Sequence, residues 1–260
     1  MSTPYCWTVN SYGEVWTLYQ QGGGELISPP NQDFAQDIVY GSGSIVYVVS
    51  TEDQAGGALI KGCEPPFDIK VSWFTIPAPV AAARIASDPS GNLWTVNDKG
   101  EVWYINAPLG GGYLASPAGE SFAMDISCGT DGTVWIASAE IDPDYGNLLK
   151  RYDRNSKTWI TLPGPASGVK VAVGQNGTLY VLNSKGEVWL LYPQGGGVMI
   201  SPPGLSFALD ISVGPDGTLW AVSGNNARKG GGAVMWWAGA NQIWNTIPMP
   251  AAATAVSGAL

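Results

Sequence analysis

The sequence is dominated by short apolar stretches in which hydrophobic and polar residues alternate, each closed by Gly, Asn or Pro. Alternation with period two is the pattern of a β-strand with one buried face. In one segment it predicts strands at about 169–173, 179–183, 187–192 and 198–201, joined by Gly-, Asn- and Pro-rich turns. No segment sustains the period of an amphipathic helix. The pattern therefore predicts an all-β protein.

The chain repeats itself three times over nearly its whole length. The segments WTVNSYGEVWTLY, WTVNDKGEVWYIN and YVLNSKGEVWLLY begin at Trp7, Trp94 and Tyr180, at offsets of 87 and 86 residues. Each is followed by three glycines, then by ISPP, ASPA or ISPP, and later by WFTIP, WITLP or WNTIP. Self-similarity at a fixed period is the signature of a repeat architecture.

Each copy divides into two β modules, because DISVGPDGTLWAVS (from Asp210) resembles VKVAVGQNGTLYVLN (from Val169). Six modules of about 43 residues match the four-stranded blade of a propeller. The sequence thus predicts a single six-bladed β-propeller domain over residues 1–260, built from three two-blade repeats. Residues 254–258 match the first strand of a module and residues 5–9 the second. We expect the N- and C-terminal strands to pair and close the ring.

Composition narrows the function. The net charge is −9 with only 12 Lys and Arg, which argues against nucleic acid and anionic membrane surfaces. His is absent, which removes the commonest general base and metal ligand, and we expect no cofactor and no metal. Three widely spaced cysteines predict free thiols. Neither a signal peptide nor a long apolar span is visible, which predicts no membrane insertion and a cytoplasmic location, with leaderless release left open.

Two columns of equivalent residues run around the predicted ring. A charged column alternates acid and cation except at the seam, which favours inter-blade ion pairs over a metal cage. Its members are Asp37, Arg84, Asp125, Lys170, Asp210 and, by alignment, Thr254. An aromatic column on the second strands is expected to pack each blade on the next. Its members are Trp7, Tyr47, Trp94, Trp135, Tyr180 and Trp220.

Candidate ligand residues lie where the second-to-third strand connections reach one face of the ring. The odd modules carry an Asn, a Glu and a Trp there, and the even modules carry long loops at 51–57, 139–147 and 224–232. A flat indole beside amide and carboxylate groups suits a sugar, and several weak sites raise avidity. The same Asn and Gly also suit a hairpin turn, with the Glu paired to Lys99 or Lys185. The candidate residues are Asn10, Glu14, Trp16, Asn97, Glu101, Trp103, Asn183, Glu187 and Trp189.

The strings ISCGTDGTVW (from Ile126), ISVGPDGTLW (from Ile211) and VAVGQNGTLYVLN (from Val171) resemble the repeats of the tectonin family of propeller lectins. The resemblance extends over all six modules. It implies carbohydrate binding at several similar sites, with glycans as the partners, in defence or recognition. Some fungal members of that family recognise O-methylated glycans, and this chain resembles the fungal cytoplasmic type.

Two other functions stay open at this point. A protein-interaction scaffold is favoured by the low charge and by Trp residues at the surface, although no WD dipeptide occurs, and a homo-oligomer also stays open. The string DPSGNLW, from Asp88, resembles six-bladed lactonase or lyase propellers. Such enzymes need a metal at the channel, whereas the charged column here is paired and His is missing. The sequence therefore predicts a binding protein and no enzyme.

Overall fold

The structure is a computed structural model that describes residues 6–19, 22–55, 57–65, 71–143, 146–162, 167–192, 194–203, 206–225, 231–239, 241–248 and 252–258. Within those ranges the chain forms 24 β-strands, arranged as six four-stranded antiparallel sheets. Two short 3₁₀ turns also occur in the described part of the chain, at Ser42–Ser44 and Gln175–Gly177. The described part of the chain has no long apolar helix of the kind that crosses a bilayer. The prediction of an all-β protein with six blades is confirmed.

Each sheet is one blade, with its strands called first to fourth from the central channel outwards. The blades are blade 1 with β24 (Ala255–Gly258), β1 (Cys6–Val9), β2 (Val15–Leu18) and β3 (Gly24–Leu26); blade 2 with β4 (Ala35–Tyr40), β5 (Val46–Gln54), β6 (Gly57–Cys63) and β7 (Trp73–Thr75); blade 3 with β8 (Arg84–Ser87), β9 (Leu93–Val96), β10 (Val102–Ile105) and β11 (Gly112–Leu114); blade 4 with β12 (Ala123–Cys128), β13 (Val134–Asp142), β14 (Gly146–Asp153) and β15 (Thr158–Thr161); blade 5 with β16 (Lys170–Val173), β17 (Leu179–Leu182), β18 (Val188–Leu191) and β19 (Gly197–Met199); and blade 6 with β20 (Ala208–Val213), β21 (Leu219–Ser223), β22 (Val234–Ala238) and β23 (Ile243–Thr246).

The ring closes through blade 1, which combines the two ends of the chain. β24 pairs antiparallel with β1, so that Cys6 lies opposite Gly258 and Val9 opposite Ala255. The first strand of this blade therefore comes from the C-terminal end, and its other three strands come from the N-terminal end. The predicted closure is confirmed, and it leaves no open sheet edge at this seam.

Local turn chemistry explains the D-G-T strings that follow the first strands of blades 4 and 6. Asp131 accepts the backbone N–H of Thr133 at 2.8 Å and its hydroxyl at 2.7 Å. Asp216 accepts the same two donors of Thr218, at 2.9 and 2.7 Å. The glycine between them has a positive φ, which other residues rarely adopt. These residues therefore shape the hairpin between the first and second strands.

The even blades have longer central hairpins than the odd ones. The loops predicted at 51–57 and 139–147 are largely strand, because β5 extends to Gln54 and β13 to Asp142. The pairing continues past an irregularity in each hairpin, so backbone groups that a loop would expose are bonded. The third predicted loop, 224–232, lies partly outside the described residues.

The core consists of six apolar clusters, each shared by neighbouring blades. The aromatic column contributes its largest side chains. Trp7, Tyr47, Trp94, Trp135 and Trp220 are buried, and Tyr180 is half-buried. The predicted packing role of this column is what the structure shows.

Candidate functional site

The predicted ligand residues of the odd blades lie in the tight hairpin between the second and third strands. In blade 1, Asn10 Oδ1 accepts the backbone N–H groups of Tyr12 and Glu14, both at 3.0 Å. The amide Nδ2 of Asn10 donates to Glu14 Oε2 at 2.8 Å. An Asn that bonds the backbone two residues ahead forms an Asx turn, which explains why this residue type stands here.

The same arrangement recurs in blades 3 and 5. Asn97 donates to Glu101 at 2.8 Å, and Asn183 donates to Glu187 at 2.7 Å. Each Oδ1 again accepts two backbone N–H groups of its own hairpin. Asn97 is only 4% exposed. The amides are thus engaged by the turn, and the turn-shaping interpretation describes their observed contacts.

The Glu and the Trp of each hairpin keep part of their surface accessible. Trp16 Nε1 donates to Glu14 Oε2 at 3.3 Å. In blade 3, Glu101 Oε1 accepts the backbone N–H of Gly119 at 3.0 Å. That bond and the Asn97 amide lower the pKa of Glu101, with a smaller effect from Lys99. The Glu101 carboxylate is therefore kept ionised next to the half-buried Trp103 indole, and it can accept hydrogen bonds from a ligand.

These hairpins form three separate clusters around the ring, which we call the hairpin sites. Trp16 packs on the apolar cluster shared with blade 6, and Trp189 packs on the cluster shared with blade 4. Trp103 holds the equivalent position in blade 3 and is half-buried. The structure therefore brings Asn, Glu and Trp together within each hairpin and keeps the three hairpins apart. Each lies where an odd blade follows an even one.

A second kind of site, which the sequence interpretation missed, lies where an even blade follows an odd one. Between blades 3 and 4 there is a groove of about 710 Å³. Its lining includes Tyr113, Ser116, Phe122, Lys150, Tyr152 and Trp159. We call this groove and its two repeats the Phe–Trp grooves.

The aromatic residues of this groove are held in fixed positions. The Phe122 and Trp159 rings lie 5.7 Å apart in an edge-to-face arrangement, and Trp159 Nε1 donates to the Ala115 carbonyl at 2.8 Å. The Lys150 ammonium lies 4.7 Å from the centre of the Phe122 ring and pairs with Glu140. The groove therefore combines aromatic surface with an ammonium that is already paired to a carboxylate.

The two equivalent grooves share the aromatic pair but differ in charge. Between blades 1 and 2, the Phe34 and Trp73 rings lie 4.9 Å apart, and the Lys61 ammonium lies 5.0 Å from the Phe34 ring. Between blades 5 and 6, the rings of Phe207 and Trp244 lie 5.2 Å apart. In blade 2, Lys61 lies opposite Thr75 of the fourth strand, and in blade 6 the residue opposite the equivalent Thr246 is Met235. The groove between blades 5 and 6 therefore has an apolar side chain where the other two have a Lys.

The charged column forms a ring of contacts around the channel. In each even blade the pairing of the first and second strands shifts register immediately before the Asp of this column. The three residues concerned are Asp37, Asp125 and Asp210. Each carboxylate accepts a backbone N–H from the first strand of the next blade at 2.9 Å. Lys170 pairs with Asp210 at 2.6 Å, and Arg84 lies 3.9 Å from Asp125.

The alignment of Thr254 with this column is wrong, and Ala255 occupies the position instead. On the neighbouring second strands, Arg84 lies opposite Val96 and Lys170 lies opposite Leu182. The residue of blade 1 that corresponds to Val96 and Leu182 is Val9, and Val9 lies opposite Ala255. Thr254 lies one residue outside the strand. At the seam the column therefore has neither a charge nor a hydroxyl.

Burial governs ionisation in this ring. It raises the pKa of Asp37 to about 6, with Lys170 and Arg84 lowering it and Asp210 and Asp125 raising it. Burial also raises the pKa of Asp125. For Lys170 burial lowers the pKa, but the three carboxylates outweigh burial and raise it. Among the described residues, no group of three His, Cys, Asp or Glu side chains is arranged to hold a metal.

Comparison with known proteins identifies the fold. The sequence matches no family model, and a search of curated proteins finds no match to it. Among solved structures it is similar to a chain of the nidogen/laminin complex, with a TM-score of 0.74 and 9% identity over 99% of this chain and 98% of that one. The protein is a six-bladed β-propeller. At this identity the likeness shows the fold alone, so the function of the propeller has to be argued from its own grooves.

Proposed function

We propose that this propeller is a lectin that binds glycans in the grooves between its blades. The observation that carries the proposal is the groove between blades 3 and 4. There the Phe122 and Trp159 rings, 5.7 Å apart, lie beside the Lys150 ammonium, and the exposed side chain of Tyr113 lines the same groove. The C–H face of a sugar packs on an aromatic ring while its hydroxyls bond to adjacent polar groups.

The threefold repeat supports this proposal, because one kind of groove is displayed several times on a rigid ring. A single shallow sugar contact is weak, and three linked contacts with a multivalent glycan raise avidity without any new interaction. Aromatic pairs at Phe34–Trp73 and Phe207–Trp244 supply the two further copies.

The hairpin sites are a second set of glycan contacts in this proposal. Their Asn side chains are engaged in the turn, so the Glu carboxylate and the half-buried indole are the groups that would meet a sugar. Glu14, Glu101 and Glu187 would accept sugar hydroxyls, and Trp16, Trp103 and Trp189 would present part of an indole face. Their role as ligand residues stays a prediction.

The finer features of the proposal come from the tectonin resemblance. It supports a fungal-type cytoplasmic lectin that serves recognition or defence, with O-methylated glycans as a candidate ligand class. We also propose that the protein is not an enzyme. The pairing of two of the three channel carboxylates with cations and the lack of His in the sequence support that.

A glycan array probed with the labelled full-length chain tests the proposal. A triple Trp73/Trp159/Trp244→Leu variant removes the indoles of the Phe–Trp grooves, and a Trp16/Trp103/Trp189→Leu variant removes those of the hairpin sites, so that the contribution of each set is measured separately. Circular dichroism and thermal melting establish that both are folded. We expect sugar hits for the wild type, their loss in the first variant and weaker hits in the second.

A measurement on the unchanged protein covers the case in which a variant does not fold. Chemical-shift changes on titration with an array hit should localise to Phe122, Lys150 and Trp159. A blank array with folded protein would refute the lectin. Hits that disappear only in the second variant would move the sites to the hairpins.

A protein-interaction scaffold is the second candidate, and exposed apolar side chains favour it. Leu109 is 81% exposed and Ile141 is 69% exposed. Side chains of this kind contribute to protein interfaces when they cluster with aromatic neighbours. A blank array together with a defined partner recovered by pull-down, and lost on Ile141→Asp, would support this function instead.

A further inference from the structure

A cavity of about 390 Å³ lies on the axis of the ring. It runs from the charged side chains at the start of the first strands to the turns that follow those strands. Its charged lining includes Asp37, Asp125, Lys170 and Asp210, and its hydroxyls include those of Ser127 and Ser257. The volume lies within the range of small-molecule sites, about 300–1,000 Å³.

Two of the three equivalent carboxylates in this ring already have a cation from the preceding odd blade. Lys170 supplies an ammonium to Asp210 at 2.6 Å, and Arg84 supplies a guanidinium near Asp125 at 3.9 Å. Each of these carboxylates also accepts one backbone N–H. Each of these two carboxylates therefore binds one side-chain cation and one backbone N–H.

The third carboxylate, Asp37, accepts its backbone N–H from Ile85 at 2.9 Å. At the place of the third cation stands Ala255, whose side chain packs on the apolar cluster shared by blades 1 and 2. Among the described residues, Asp37 has no ion pair within 4.0 Å. The ring therefore has three carboxylates against two cations, and the uncompensated charge is next to the cavity.

We propose that the channel binds a small primary ammonium ion, whose charged group takes the place of the missing third cation beside Asp37. A primary ammonium has three N–H donors. It matches the Lys170 ammonium that fills the equivalent position at Asp210, and the serine hydroxyls provide further acceptors. A divalent metal fits less well, because it requires several oxygen ligands and the other two carboxylates are already paired.

Ionisation of Asp37 supports this site and predicts its pH dependence. Four charged groups of the ring face it: Lys170 and Arg84 lower its pKa, and Asp210 and Asp125 raise it. Because burial holds that pKa at about 6, protons compete with the ligand below that pH. Ammonium binding should therefore weaken as the pH falls from 7.5 to 5.

Calorimetric titration of the full-length chain with n-butylammonium chloride, in amine-free phosphate buffer at pH 7.5, tests the proposal. We expect one ion bound per chain, and no binding of tetramethylammonium, which has no N–H donor. Asp37→Asn should weaken binding by about tenfold or more, since it removes a charge-assisted contact. Asp98→Asn, at an exposed hairpin residue, removes the same charge and should leave binding unchanged.

Ala255→Lys gives a second, independent variant, because it supplies the internal cation that blade 5 already has. This variant should lose n-butylammonium binding, and chemical-shift mapping at Asp37 covers the case in which it does not fold. Absence of butylammonium binding to the wild type, or equal binding to Asp37→Asn, would overturn the proposal. Glycan hits should be unchanged in both variants, so failure of this site and failure of the lectin are separate results.

Discussion

The backbone N–H of Thr254 donates to the carbonyl oxygen of Val9 at 2.7 Å, and the Thr254 hydroxyl donates to the same oxygen at 3.1 Å. This contact joins residues that are 245 positions apart in the chain. It stands at the start of the β24–β1 pairing, so it fixes the register in which the ring closes. Any change that removes β24 also removes the innermost strand of blade 1.

Deletion of residues 253–260 should open this seam. The variant loses the four backbone pairs between β24 and β1 and exposes the unpaired edge of β1. We expect a lower melting temperature and concentration-dependent association, measured by thermal melting and size-exclusion chromatography. A matched control, Ser257→Ala, keeps the strand but removes the acceptor of the Tyr40 N–H, and its effect should be much smaller. An unchanged, monomeric deletion variant would contradict closure at this seam.

Asp125→Ala should destabilise the ring without affecting glycan binding. The Asp125 carboxylate is only 8% exposed, and it accepts the backbone N–H of Val171. Leaving that buried N–H without its acceptor costs about 1–3 kcal/mol. Asp125→Asn keeps an acceptor oxygen and should lose less stability. Urea unfolding gives both values, and lost glycan binding at unchanged stability would show that this residue has a ligand role.

Asp37→Asn should make the protein more stable at neutral pH and leave it unchanged in acid. The pKa of Asp37 is raised from 3.8 to about 6, so the folded state holds the proton more tightly than the unfolded state. That contribution is complete below about pH 4 and is lost as the pH rises through about 6.

The gain of the Asn variant therefore grows over that window, up to about 3 kcal/mol at pH 7.5. Urea unfolding at pH 4 and pH 7.5, in amine-free buffer, measures it. A parallel pH dependence of the wild type and the variant would show that Asp37 does not titrate in this range. Asp98→Asn, at an exposed residue, again provides a control for a simple change in net charge.

The strands and their closure were predictable because each depends on local alternation and on turns a few residues long. The misalignment of Thr254 shows that local pattern does not determine the register of a short strand. The short last strand offered no charged residue to align, and the Thr that precedes it was aligned in place of Ala255. Backbone pairing decides the register, and it places Ala255 opposite Val9. The slip misplaced the residue at the seam by one position but left the missing cation visible, because neither Thr254 nor Ala255 carries a charge.

The candidate sites were predictable to different degrees for the same reason. The contacts of Asn97 lie within four residues of it, so the local sequence indicated both the turn and the cluster. In the Phe–Trp groove, Trp159 bonds Ala115, 44 residues away and in another blade. The recurring WFTIP, WITLP and WNTIP strings and the S-P pairs marked these grooves, but only blade packing shows that they meet.

Asn97→Ala provides a direct test of the turn role of the hairpin residues. The variant loses an acceptor for the backbone N–H groups of Lys99 and Glu101, and it loses the donor to the Glu101 carboxylate. We expect a loss of about 1–3 kcal/mol in unfolding free energy, because these groups are largely buried. Calorimetric titration with a glycan identified on the array should find the same number of sites per chain.

Asn97→Asp separates the two contributions of that side chain. It keeps the acceptor oxygen for the backbone but places a second carboxylate next to Glu101, where the wild type has an amide donor at 2.8 Å. Its stability should therefore lie between the wild type and Asn97→Ala at pH 4 and approach that of Asn97→Ala at pH 7.5, as both carboxylates ionise. If Asn97→Ala instead melts like the wild type and loses one glycan site, the amide contacts the sugar and the turn does not depend on it.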